Sequence, residues 1–509
     1  MKAPKSIPVA LMGAALFMAH STSSWAFLSD TGSVPWPTTA SGNRSANGSP
    51  VVLTWSIVPD GTAILGDFGL SLGGSDLRSF LNLQFDGDEL ETDLTERPWF
   101  RFFDESFDRW SQISGATYIY EPNDSGGTHN VGQGILGVRG DVRIGGASVD
   151  GPGDVLAFNY IPDDGGDMVL DTSEAVFFSN SSGDFVRFRN TIMHEHGHGM
   201  SIQHVESNTD GLLMESFIQT SFDGPQLDDI RAAQFFFGDA LEKTNNGLGN
   251  NTTALATDLG TLDTNTSLMI GTDANTSSQF VAADATDFVS LSGTADTDVY
   301  SFRVDEPTRL SAELIPLGGV FNQAGQGQTP TPFDANARVD LALTLFDSNG
   351  SSVLASADQQ GLGGTERLSE ITLPAAGEYF VSVTGSDDTI QLYQLALSAA
   401  APLLGDFNGT GDVEIGDLNL VLFNWNVDGG NLTNIWVNQR PSPGDAVGVD
   451  QFNTVLFNWD QTAQLAAVPE PVSLGLMLWL GWPLLRRGNR WARRSGTNLE
   501  LNVETARKQ

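Results

Sequence analysis

In FRFFDESFDRWSQIS (100–114), Phe103, Phe107, Trp110 and Ile113 recur at three- and four-residue steps, which predicts an amphipathic helix. A second helix is predicted over 185–199, FVRFRNTIMHEHGHG, with Asp184 as its N-cap. A third is predicted over 227–239, LDDIRAAQFFFGD, ending at Gly238. Two stretches read as strands: PVVLTWSIV (50–58), and DVRIGG (141–146) with a Gly/Asp-rich loop after it. Residues 27–240 therefore mix helix and strand periods, the pattern of an α+β domain.

A polar Asn/Gly/Thr-rich stretch makes 241–253 a linker. Beyond it the period changes to two. DVYSFRV places Tyr300, Phe302 and Val304 on one face, and VDLALTLFDSNG places Val339, Leu341, Leu343 and Leu345 on another before an Asp/Asn/Gly turn. AGEYFVSV and LYQLALS repeat the alternation, so 254–399 is predicted to be an all-β sandwich. In 404–465, GDFNGTGDVEIGDLNLVLFNW is echoed by VGVDQFNTVLFNW at an offset of 34, which predicts a small two-part helical module.

Composition fits a loop-rich, multidomain chain: 509 residues, 56 Gly, 40% hydrophobic, 17% charged and no Cys. The net charge of −38 argues against a nucleic-acid partner and favours divalent cations. Both ends read as sorting elements. Lys2, Lys5 and the apolar run 7–19 form a signal peptide over 1–26, with Ser24 and Ala26 before the cut. Residues 468–494 join Pro469-Glu470-Pro471, a 14-residue apolar run and five arginines. This resembles a PEP-CTERM sorting signal, followed by a tail over 495–509. The resemblance implies a bacterial protein that is secreted or held at the cell surface, touches the membrane transiently, and meets an exosortase-type processing enzyme. An exopolysaccharide or cell-envelope matrix would be its surroundings.

The chemistry concentrates in TIMHEHGHGMSIQH (191–204). His194 and His198 are four apart, on one helical face, and can share a cation. His204 follows six residues later as a third ligand, and three imidazoles leave a fourth tetrahedral position open. Glu195 is placed to act as general base without ligating. His196, roughly two hundred degrees round the helix from His194, reads as a packed or surface residue, and His129 as a loop residue.

The pattern His194-Glu195-x-x-His198-x-x-Ser201-x-x-His204, with Met214 ten residues on, resembles the metzincin zinc peptidases, and specifically the matrixins. The resemblance covers about 50–240. It implies a secreted zinc endopeptidase acting on extended peptides laid along an edge strand near Val155–Ala157, with a specificity-pocket wall in 207–226. Met214 would be a structural methionine beneath the zinc, and Ser201 stands where the resemblance implies a glycine that lets the chain leave the helix with positive φ. DGPGDVLAFNYIPDDGGDMVLDTSE (150–174) resembles the matrixin calcium segment. By that match Asp150, Asp171 and Glu174 fall on one calcium site, and Asp141 and Asp167 on a second. Phe158 and Val169 stand where matrixins carry structural-zinc histidines, so no such zinc is expected.

DTDVYSFRV, LTLFDSNG and LPAAGEYFVSV resemble the bacterial pre-peptidase C-terminal domain, a companion of secreted peptidases. DFNGTGDVEIGD carries Asp406, Asn408, Thr410, Asp412 and Asp417 with a calcium-loop spacing and resembles a dockerin repeat. In the second repeat the equivalent positions hold Arg440, Ser442, Gly444 and Gln451, and no calcium is expected. Two other readings stand beside the peptidase. One is a non-catalytic adhesion or matrix protein built on a metzincin fold. The other is a gluzincin-like site with Glu206 or Glu215 as third ligand.

Overall fold

The computed structural model describes residues 34–462, save 45, 67–70, 87–91, 131, 210 and 434. The signal-peptide segment 1–26, the PEP-CTERM segment 468–494 and the tail 495–509 lie outside the described residues. Among the described residues, no helix is long and apolar enough to cross a membrane.

The first part is built on a five-stranded sheet. Its strands are β1 (Val51–Ile57), β2 (Ala116–Tyr120), β3 (Val142–Ala147), β4 (Ala157–Asn159) and β5 (Met168–Asp171), in the order β2-β1-β3-β5-β4. The pairs β2/β1, β1/β3 and β3/β5 are parallel, whereas β4 runs antiparallel to β5 at the edge. The central strand β3, VRIGGA, is buried at every position, as a strand covered on both faces must be.

Helices α1 (Leu77–Phe85), α2 (Phe100–Gln112), α3 (Val186–Gly199) and α4 (Leu227–Phe237) complete this part. The apolar stripe read from the sequence is the buried one: Phe103, Phe107 and Trp110 of α2 lie at 0–1% exposure. Trp55 of β1 stacks on Phe100 and Phe107 with centroids 5.2 and 5.0 Å away, joining sheet to helix. The Trp110 indole donates to the Met193 carbonyl (3.1 Å), which ties α2 to α3. One detail differs from the sequence reading. The residue preceding α3 is Phe185, and neither it nor Asp184 caps the helix. Asp184 and Phe185 are both left-handed (φ 54° and 62°), and the Asp184 carboxylate turns away to Arg101 (2.6 Å), a stronger partner than a helix N–H.

The second part is a sandwich of two sheets. One runs β7 (Thr257–Thr261), β10 (Asp298–Val304), β17 (Gly377–Gly385), β14 (Leu341–Phe346) and β15 (Val353–Ala357). The other runs β8 (Ser267–Ile270), β18 (Gln391–Ala400), β11 (Thr308–Leu317) and β16 (Glu366–Leu373), and β9 (Val289–Leu291) also pairs with β18. Tyr300, Phe302, Val304, Leu341, Leu343 and Leu345 fill the space between, as the alternation predicts. A hairpin, β12 (Val320–Gly325) and β13 (Thr331–Asp334), leaves this sandwich and pairs with β6 (Val205–Glu206) of the first part. Residues 415–457 supply two short helices, α5 (Ile415–Phe423) and α6 (Val449–Phe457), around Phe407, Val421, Trp436 and Val455.

Candidate metal centre

Helix α3 carries His194 and His198 on one face, and the turn after it decides whether His204 can join them. Ser201 has φ 73°. Its N–H reaches the His198 carbonyl (2.9 Å), while the Ile202 N–H reaches the Gly197 carbonyl (3.0 Å). These bonds make a Schellman turn with Ser201 at the left-handed position. The strain expected there is therefore present. Ser201→Gly is expected to stabilise the metal-free protein by about 1 kcal/mol. Thermal unfolding checks this, and an unchanged or lower Tm would reject it.

With that turn in place, His204 Nε2 lies 3.1 Å from both His194 Nε2 and His198 Nε2. Each of the two helical ligands spends its other nitrogen on a carbonyl, His194 Nδ1 on Leu213 (2.7 Å) and His198 Nδ1 on Ile202 (2.8 Å). A carbonyl only accepts, so Nδ1 carries the proton and the Nε2 lone pair faces the centre. Burial, then the neighbouring imidazoles, pushes His194 far below the usual histidine range, and burial pushes His198 down to about 4. The rings are thus neutral near pH 7, the form that binds metal. Three converging neutral imidazoles fit zinc. Glu195 is 7% exposed, and burial raises its carboxyl to about 8.

Met214 is fully buried against α3. A Cβ on Gly197 would stand 2.3 Å from its sulfur, so only glycine lets the methionine come this close. The Met214 carbonyl accepts from Val205 N–H (2.9 Å), linking the methionine turn to β6. Asp229 of α4 holds the same turn, accepting from the N–H groups of Leu213 (2.9 Å), Met214 (3.2 Å) and Gln226 (2.8 Å). Neither Gly197 nor Asp229 was singled out from sequence, because each acts through contacts of the folded chain. The carboxylates weighed as third ligands are engaged elsewhere. Glu215 takes the Ser207 N–H, and Glu206 takes Ser216 Oγ and the Gly327 N–H. His196 is buried, with its Nε2 on the Tyr118 hydroxyl (2.7 Å) and its ring edge-on to Phe107. His129 lies in a loop but is fully buried, its Nε2 3.0 Å from the Arg143 carbonyl.

Asp150, Asp171 and Glu174 gather round one loop. Asp171 receives the Asp150 N–H (3.5 Å), Asp150 the Val155 N–H (3.3 Å), and Glu174 the Gly153 N–H. Asp141 and Asp167 serve separate backbone donors. Asp141 accepts from Ala40, Thr54 and Gly134, and Asp167 from Asn130 and Arg143. Phe158 and Val169 face each other across β4/β5, in an apolar cluster with Val58 and Ile64. Farther along, Asp406 accepts from Thr410 and Gly411, and Asp417 from Asn408 and Glu414. Burial, then Asp417, raises the Asp406 carboxyl. Asp412 is exposed, and its backbone pairs with Thr462.

A second group that could hold a cation was not read from sequence: Glu242, Asp296 and Asp298, where 239–250 meets the sandwich. Burial raises all three carboxyls, Glu242 to about 8, and neighbouring carboxylates add to the rise at Glu242 and Asp298. Folding without a cation therefore favours their protonated forms. That contribution to stability is present below about pH 4 and is lost as pH rises to about 8. In chelator, the Tm is expected to fall between pH 5 and 8, and to fall less in Asp298→Asn. Equal slopes in the two proteins would refute this.

A five-stranded sheet with one antiparallel edge strand, joined to a three-histidine centre over a buried methionine, defines a metallopeptidase class. Residues 81–238 match the family model for Matrixin, and residues 296–385 match that for the bacterial pre-peptidase C-terminal domain. The chain thus carries a matrixin domain followed by an all-β pre-peptidase C-terminal domain, and the matrixin domain implies a catalytic zinc. No curated protein matches the chain. Among solved structures it is similar to the pre-peptidase C-terminal domain of a collagenase from Bacillus anthracis, at 15% identity and TM-score 0.17, covering 28% of this chain and 96% of that one. It is also similar to the GM1-bound ECX AB5 holotoxin, at 13% identity and TM-score 0.20, covering 39% and 87%.

Proposed function

We propose that the protein is a secreted zinc endopeptidase of the matrixin kind in which Glu195 is the general base. The observation that carries this is the convergence of the three Nε2 atoms, with a buried carboxyl on the residue after His194. Zinc, when bound, supplies Lewis acidity and acidifies water. His194, His198 and His204 would hold it, with the Leu213 and Ile202 carbonyls orienting the helical pair. Glu195 takes the proton of the attacking water and passes it to the leaving amine. The edge strand β4 offers main-chain groups along which an extended peptide can lie, and the 207–226 segment supplies the pocket wall.

The carboxylates at Asp150, Asp171 and Glu174 are proposed calcium ligands, as are Asp406, Asn408, Thr410 and Asp417 of the dockerin-like loop. Asp412, which is exposed, is a further proposed ligand of that loop, whereas the buried Asp141 and Asp167 carboxylates are less suited, because backbone N–H groups already occupy them. The end segments support export and surface sorting by an exosortase-type enzyme.

The test is metal analysis of the full chain together with casein and gelatin cleavage. The native chain is expected to bind about one catalytic zinc and to lose cleavage in chelator, and His198→Ala to lose both metal and cleavage. Stoichiometric zinc without cleavage of several protein substrates would reject the peptidase and favour the non-catalytic surface protein.

A further inference from the structure

The zinc ligands are not held alike. His194 and His198 are oriented by carbonyls of their own domain, those of Leu213 and Ile202. His204 lies beyond the helix, and its neighbour is the hairpin from the other domain. Val205 pairs with Gly325 and Glu206 with Ala324, antiparallel. Extending that register by one places Gln326 opposite His204. The Val205/Gly325 pairing on one side and the Gly327 N–H on Glu206 (3.3 Å) keep Gln326 next to His204. His204 Nε2 is committed to the centre, 3.1 Å from the other two Nε2 atoms, which leaves Nδ1 as the outward nitrogen.

We infer that the sandwich domain completes the metal centre, with Gln326 as the positioning residue for the third ligand, His204. An amide oxygen does for His204 what main-chain carbonyls do for His194 and His198. It accepts the Nδ1 proton, selects the tautomer with a free Nε2, and sets the ring plane. A neutral amide does this without adding charge.

The hairpin is anchored well enough to serve. The Gln323 amide donates to Asp228 (2.8 Å), both residues being buried. The Asn322 amide donates to Asn208 (3.2 Å), and the Gly327 N–H to Glu206 (3.3 Å). Arg231 of α4 lies over the Phe333 ring at 5.1 Å. The hairpin leaves β11 through Gly318 and Gly319, at φ 147° and 79°, a turn that side chains would obstruct. Zinc affinity in the first domain therefore depends on the second.

This inference rests on the zinc reading above, and the experiment separates the two. Zinc affinity of the full chain is measured by competition with a chromophoric chelator. The visible spectrum of the cobalt-substituted form is recorded, along with the Tm of the metal-free form. Gln326→Ala is expected to weaken zinc binding 10- to 100-fold and to alter the cobalt spectrum, with the metal-free Tm unchanged. Gln326→Glu, which keeps an acceptor, is expected to retain affinity within several-fold. Gln328→Ala, exposed on the same turn, is expected to match the native chain. Native affinity and spectrum in Gln326→Ala would overturn the inference while leaving the zinc reading intact, and so would an equal loss in Gln328→Ala. A native chain that binds no zinc would overturn the zinc reading itself.

Discussion

Glu195→Gln is expected to lower kcat/KM for peptide hydrolysis by about 10²- to 10⁴-fold while zinc content stays at the native level. Glu195 is not among the groups that converge on the centre, which are His194, His198 and His204. Removing its charge therefore leaves the ligand set intact. The amide has nearly the same volume, so the buried site need not repack. What disappears is the ability to take a proton from water and return it to the amine. Burial raises this carboxyl to about 8, so without metal it favours the acid form. A dication nearby favours the carboxylate, which readies the base only when the centre is loaded. Steady-state kinetics on a quenched peptide, with zinc quantified in the same samples, checks the prediction. Native kcat/KM in the variant would remove Glu195 from the mechanism.

Asp229→Ala is expected to cost about 3 kcal/mol or more of stability and to weaken zinc binding. Its carboxylate accepts from three main-chain N–H groups, those of Leu213, Met214 and Gln226. Asp229 is 2% exposed, so water does not replace the lost acceptor. Each stranded buried donor costs about 1–3 kcal/mol. The consequence reaches the metal because Leu213 is also the residue whose carbonyl orients His194. A chain of contacts thus runs from α4 through the methionine turn to a ligand. Burial raises the Asp229 carboxyl to about 7, so Asp229→Asn, which keeps one acceptor oxygen, is expected to lose less than half as much. Urea unfolding of the metal-free proteins and zinc competition measure the two effects. Native stability in Asp229→Ala would refute the prediction.

Much of the peptidase half was legible because its signals are local. The stripe of Phe103, Phe107 and Trp110 predicted α2, and it is the stripe that packs on β1. Gly238 marked the end of α4, and it stands there with φ 73°. Asp184 misled, because a cap is chosen by competition and Arg101 is the better partner. The sandwich followed from its alternation, but the excursion of β12 and β13 to β6 did not. A short polar hairpin carries no signal of which distant edge it will pair with.

By itself, the sequence determined the spacing of His194, Glu195 and His198, because helical geometry converts a four-residue step into a shared face. The metzincin resemblance pointed to a turn at Ser201; the fold sets its φ of 73°, and the serine Cβ sets the cost. The tertiary structure alone decided what surrounds the three histidines: Gly197 leaves room for Met214, Asp229 ties the methionine turn, and β12 of another domain pairs with Val205, next to His204. It also decided that Glu242, Asp296 and Asp298 meet. These are contacts between residues far apart in the chain. Their partners are set by packing and by the desolvation of polar groups, which no local pattern encodes.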